Sequence, residues 1–106
     1  MATNFPETRG VRPKPFNLTL DATQTNIDEG ELESQSHCPI ALALRDSLDC
    51  RYVKVNLGGI MLLDAAYSGY SARLPAEMED FIRRFDAEEK VEPRSFSLSF
   101  RPFCEV

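Results

Sequence analysis

From Phe16 the chain alternates strictly: Phe16, Leu18 and Leu20 fall on one side, Asn17, Thr19 and Asp21 on the other. A period of two is the mark of a half-buried strand. The polar stretch 22–35 follows, where Thr25 is placed to cap a short turn, Ile27 and Leu32 to dock it and Gly30 to end it. Pro39 stands at a first helical position, where its missing N–H costs nothing. Ile40, Ala41, Leu44 and Leu48 continue at helical spacing, so the pattern predicts a helix over 39–48. Leu42 and Ala43 widen its apolar stripe, which predicts contact with more than one neighbour. Val53, Val55 and Leu57 then alternate with Tyr52, Lys54 and Asn56, and Gly58-Gly59 supplies the positive backbone angles of a tight hairpin before a second run from Ile60. That run, Ile60-Met61-Leu62-Leu63, is apolar on both sides, as suits a strand with neighbours on both edges and cover on both faces, or one with a face covered by another subunit, which would point to a dimer. After Pro75, Met78, Phe81, Ile82 and Phe85 fall at i, i+3, i+4 and i+7, with acids early and Arg83 and Arg84 late, which predicts a helix over 75–86. Phe96, Leu98 and Phe100 alternate with Ser95, Ser97 and Ser99 in a last strand bracketed by Pro93 and Pro102.

The order strand, helix, strand, strand, helix, strand predicts an α+β two-layer sandwich. Its ferredoxin-like βαββαβ form has an antiparallel four-stranded sheet with two helices on one face. The opposite sheet face would show Thr19, Lys54, Ser97, Ser99 and Arg101, a polar surface able to meet a partner or water. Residues 1–15 carry three prolines and almost no apolar pattern, so they are expected to form a flexible arm before a single domain at 16–106. No apolar run approaches the roughly 18–20 residues that cross a bilayer, and MATNFPETRG lacks the apolar core of an export signal. The expectation is a soluble, unexported protein with no membrane partner.

With 12 basic and 17 acidic residues, the net charge of −5 weighs against general nucleic-acid binding. The acid is clustered. Asp21 to Glu33 holds five carboxylates and no base, which is either a solvated face or a surface for a basic partner; Asp28, Glu29 and Glu31 are its candidate contact residues. The loop Tyr67-Ser-Gly-Tyr-Ser-Ala-Arg73 combines rigid amphipathic rings with small adaptable neighbours, the composition of protein-binding surfaces. Tyr67, Tyr70 and Arg73 are therefore candidate partner contacts; the plainer reading is that the preceding strand continues here and Tyr67 or Tyr70 covers the core edge. An alternative use of Arg73 and the tyrosines is to hold a small ligand or nucleotide across a subunit boundary.

Catalytic motifs are weaker. Cys38 precedes a helix, a setting that favours thiolate and would suit a thiol enzyme or redox sensor, but the chain has no CxxC pair, and adjacent His37 is poorly placed to serve as its base. The plainer reading is a small buried residue. His37, Cys38, Cys50 and Cys104 lack the paired spacing of a zinc site. Gly58-Gly59 is followed by neither the Lys nor the helix of a phosphate loop. No catalytic residue, metal or cofactor is expected.

The run His37-Cys-Pro-Ile-Ala-Leu-Ala-Leu44, then Leu74-Pro75, Phe81-Ile-Arg-Arg-Phe-Asp86, Val91-Glu-Pro93 and Phe96-Ser-Leu-Ser-Phe100 resembles small, mostly uncharacterised accessory proteins encoded by tailed phages and prophages. The resemblance covers about residues 16–100. It implies a non-enzymatic protein in the cytoplasm of a bacterial host, occupying a host or defence protein or sequestering a signal molecule. A homodimer that inhibits a bacterial defence complex is its most specific form.

Overall fold

The computed structural model describes residues 14–102. It is an α+β fold of eight elements: β1 (Phe16–Ala22), α1 (Gln24–Glu29), α2 (Pro39–Ser47), β2 (Cys50–Asn56), β3 (Gly59–Asp64), β4 (Gly69–Ala72), α3 (Ala76–Asp86) and β5 (Arg94–Pro102). The strands form one antiparallel sheet in the order β1-β5-β4-β3-β2. All but two residues of the expected arm lie outside the described part, as does Cys104.

The α+β class and the antiparallel sheet hold, but the four-stranded ferredoxin-like arrangement does not. The sheet has a fifth strand, β4, and the chain a third helix, α1. The cause of β4 is the turn after β3: Asp64 and a left-handed Tyr67 reverse the chain, and Gly69–Ala72 returns beside β3. This short strand then stands between β3 and β5, so the last strand joins β4 to β1. The cause of α1 is a capping box two residues earlier than the expected cap. Thr23, rather than Thr25, accepts from Asn26 N at 3.1 Å, while Asn26 Oδ1 accepts from Thr23 N at 3.0 Å. Gly30 then ends the helix close against α2, where an added Cβ would lie 2.7 Å from the Pro39 ring.

Every strand buries one face. Leu20, Val53, Val55, Ile60, Leu62, Tyr70, Phe96, Leu98 and Phe100 turn inward to meet Ile40, Leu44 and Leu48 from α2 and its C-cap, and Met78, Phe81 and Ile82 from α3. Phe81 meets Phe96 edge-on at 5.6 Å. Helix α2 touches both β1 and β2, although these are the outermost strands. Four strand spacings would hold the edges of a flat sheet about 19 Å apart, wider than the roughly 10–12 Å of a helix. The sheet is therefore curled around α2, which accounts for the wide apolar stripe of that helix. The hairpin turn is Leu57-Gly58 rather than Gly58-Gly59, because Asn56 pairs with Gly59. Gly59 opens β3 with φ of +142°, and a Cβ there would sit 3.0 Å from the Ala72 carbonyl.

Candidate functional site on the open face of the sheet

The alternation that buries one sheet face leaves the other uncovered by the helices. Register places Lys54 opposite Met61, Met61 opposite Ser71, and Ser71 opposite Arg101, so one row crosses four strands. Around this row lies a depression of about 720 Å³, lined by Lys54, Arg73, Arg101, Ser71, Ser97 and Ser99 among others. Among the described residues no carboxylate lines it. Among the described residues, Lys54, Arg73 and Arg101 form no ion pair, whereas Arg83 and Arg84 on α3 are held 2.9 Å from Glu79 and Asp80. Thus a chain of net charge −5 keeps three unneutralised cations together on its open face. Ser99 donates to Asn17 Oδ1 at 3.0 Å, while the Ser71 and Ser97 hydroxyls make no hydrogen bond among the described residues. Thr19 lies beyond the depression on β1, paired with Ser97.

A second feature stands at the opposite end of β4. The buried Asp64 carboxylate accepts from Ala66 N and Ser68 N, each at 2.9 Å, and Tyr67 N donates to the Asp64 carbonyl at 2.9 Å. This closed turn holds Tyr67 at φ of +65°, a costly region for a bulky side chain. The Arg51 guanidinium donates to the Ala65 carbonyl at 3.0 Å and lies 4.8 Å from the centre of the Tyr67 ring. Tyr67 itself is 65% exposed. The result is an aromatic ring displayed to solvent on a braced turn.

The six sequence-derived contact residues do not form one surface. Tyr67 occupies this turn, and Arg73 lines the depression beyond the other end of β4. Tyr70 is fully buried, its ring edge-on to Phe16 at 5.2 Å. Asp28 and Glu29 lie exposed on α1 and Glu31 just after it, in the helical layer. What the sequence reading missed is Asp64 and Arg51. An Asp ahead of small residues is a recognisable signal for a side-chain-capped turn, but nothing local links it to Arg51.

The thiols are placed for packing. Cys38 is buried at the N-cap of α2, and burial pushes its pKa above the ordinary 9.0 despite backbone hydrogen bonds from Ala41 and Ile40 that act the other way. The expected helix-terminus lowering is overridden by desolvation. Burial likewise raises the Cys50 thiol, opposed by the charge of Arg45. His37 is exposed, with Nδ1 2.9 Å from Ser36 Oγ. Among the described residues no three His, Cys, Asp or Glu side chains gather in a way that would hold a metal ion, and no helix is long and apolar enough to cross a membrane. Iodoacetamide should modify Cys38 in the native chain at least about tenfold more slowly than in the urea-unfolded chain at pH 8, since both thiolate fraction and access are reduced. Equal rates, read by peptide mass spectrometry, would return Cys38 to the reactive class.

Comparison with family models, with curated protein sequences and with solved structures gives no match to the chain. The functional reading therefore rests on the side chains described above.

Proposed function

We propose that the chain is a non-enzymatic binding protein that acts stoichiometrically on another protein, in keeping with the phage-type accessory proteins its sequence resembles. Its partner is a host or defence protein of the bacterial cytoplasm, and inhibition by occupancy is the mode of action. The observation that carries this reading is the Tyr67 turn. An exposed aromatic residue in a left-handed conformation, fixed by Asp64 and backed by Arg51, contributes little to the core. Tyrosine and arginine are the residues that most often dominate protein interfaces, and a ring already held in place loses little entropy on contact. The outer face of β3, which suggested a dimer, carries Met61 in the cationic depression, so the proposed homodimer uses another surface: a two-fold contact there would set Lys54, Arg73 and Arg101 against the same three charges of the second copy.

Tyr67 is exposed, so its removal separates binding from folding. With tagged full-length protein, a host protein captured by the wild type and reconstituted with it at one to one should bind Tyr67→Ala at least about tenfold more weakly, an interface hot-spot effect. Tyr67→Phe should retain most of the affinity. Equal affinity for all three chains would refute the role of this turn.

A further inference from the structure

We infer that the depression on the open sheet face binds a small molecule carrying a pyrophosphate-type group, with Arg73 and Arg101 gripping one phosphoryl group and Lys54 the other. This inference is independent of the Tyr67 reading, since the two sites stand at opposite ends of β4.

Charge comes first. Among the described residues, three cations share a depression without a single lining carboxylate, and none of them is neutralised. Clustering like charges costs free energy that folding does not recover, and a polyanion removes that cost on binding. A second copy of this face would add to the repulsion. The spacing then selects the ligand. Ser71 faces Arg101 across β4 and β5, so Arg73, two residues further on, is a diagonal neighbour of Arg101. Diagonal positions of this kind lie roughly 7–8 Å apart, near enough for two guanidinium groups to share one phosphoryl group. Lys54 stands three strands away in the same row, about 14 Å along the sheet. With the long side chains leaning inward, two linked phosphoryl groups let both ends of that row be engaged with less crowding of the three cations than a single phosphate does.

The remaining lining agrees. Ser71 offers a hydroxyl donor in the row between Lys54 and Arg101, and Ser97 offers another in the lining beyond Ser99. Pro75, the N-cap of the 11-residue helix α3, also lines the depression, so the start of that helix lies at its rim, with Glu77 and Glu79 in its first turn. The volume of about 720 Å³ falls within the roughly 300–1,000 Å³ of small-molecule sites. Among the described residues no aromatic ring lines the depression, so they offer no stacking platform for a run of bases, and the phosphoryl groups carry the recognition.

Isothermal titration of the full chain with inorganic pyrophosphate, ADP and orthophosphate tests this. Pyrophosphate should bind at least about tenfold more tightly than orthophosphate, and more weakly as salt rises from 50 to 200 mM. Arg73→Ala and Arg101→Ala should each weaken pyrophosphate roughly tenfold, as expected for charged hydrogen bonds. Lys54→Ala should weaken pyrophosphate but leave orthophosphate unchanged, while Arg83→Ala on the helical layer changes neither. Arg101→Lys, which keeps the charge, should recover part of the loss and guards against a folding effect. Binding of ADP as tight as that of pyrophosphate would identify nucleotides as the source; failure of ADP where pyrophosphate binds would identify an inorganic ligand, and both support the site. No pyrophosphate binding at millimolar concentration, equal affinity for one and two phosphoryl groups, or undiminished binding by the Lys54/Arg73/Arg101 triple alanine variant would overturn it. Tyr67→Ala should leave every one of these titrations unaltered.

Discussion

Tyr70→Ala should lower the free energy of unfolding by about 3–5 kcal/mol, the range for removing a large aromatic side chain from a core. Tyr70 is fully buried on β4, and its ring meets Phe16 edge-on while Phe16 stacks on Phe100 at 5.3 Å. One substitution thus removes a ring from the place where β4, β5 and β1 are joined. Total stabilities of such domains are about 5–15 kcal/mol, so a large fraction would be lost. Urea denaturation followed by circular dichroism measures it; a loss under about 1 kcal/mol would contradict the packing described. Burial also pushes the Tyr70 phenol above its ordinary 10.0, with the Asp64 charge adding to the effect. The unfolded chain therefore ionises first, and this contribution is present below pH 10 and lost as pH rises through the folded-state value. The alanine variant should lack that component of the alkaline loss.

Asp64→Ala should cost about 2 kcal/mol, because two backbone donors lose their acceptor and the left-handed Tyr67 loses its brace. The effect should be local as well as global. Amide exchange at Ala66 and Ser68 should accelerate by a larger factor than exchange in β5. Asp64→Asn, whose side-chain oxygen still accepts, should recover much of the loss. Uniform acceleration throughout the sheet would show that Asp64 stabilises the whole fold rather than its own turn.

These two residues also mark where the sequence was legible. Phe16 to Leu20 and Phe96 to Phe100 could be read because one face is apolar and the other polar, and Met78 to Phe85 because a single stripe is buried. The polar sheet face followed from the same alternation, and Lys54, Ser97, Ser99 and Arg101 do line one depression. Strand β4 could not be read in this way. It has four residues, Gly69-Tyr70-Ser71-Ala72, and only Tyr70 is large, so the segment has the composition of a loop while the register with Leu62 and Pro102 makes it a strand. Tyr70 was a candidate contact for that reason, and tertiary packing took it into the core. The convergence of Arg73 on Lys54 depends on strand order, which no local pattern carries.

The pairing of β1 has a consequence for synthesis. Its strand partner is β5, and the side-chain bonds joining them, Ser95 to Asp21 and Ser99 to Asn17, bridge 74 and 82 positions along the chain. On a ribosome adding about 5–20 residues per second, β1 would wait several seconds beyond the exit tunnel with Leu18 and Leu20 unpaired. Chaperone capture of the nascent chain should therefore end only after β5 emerges.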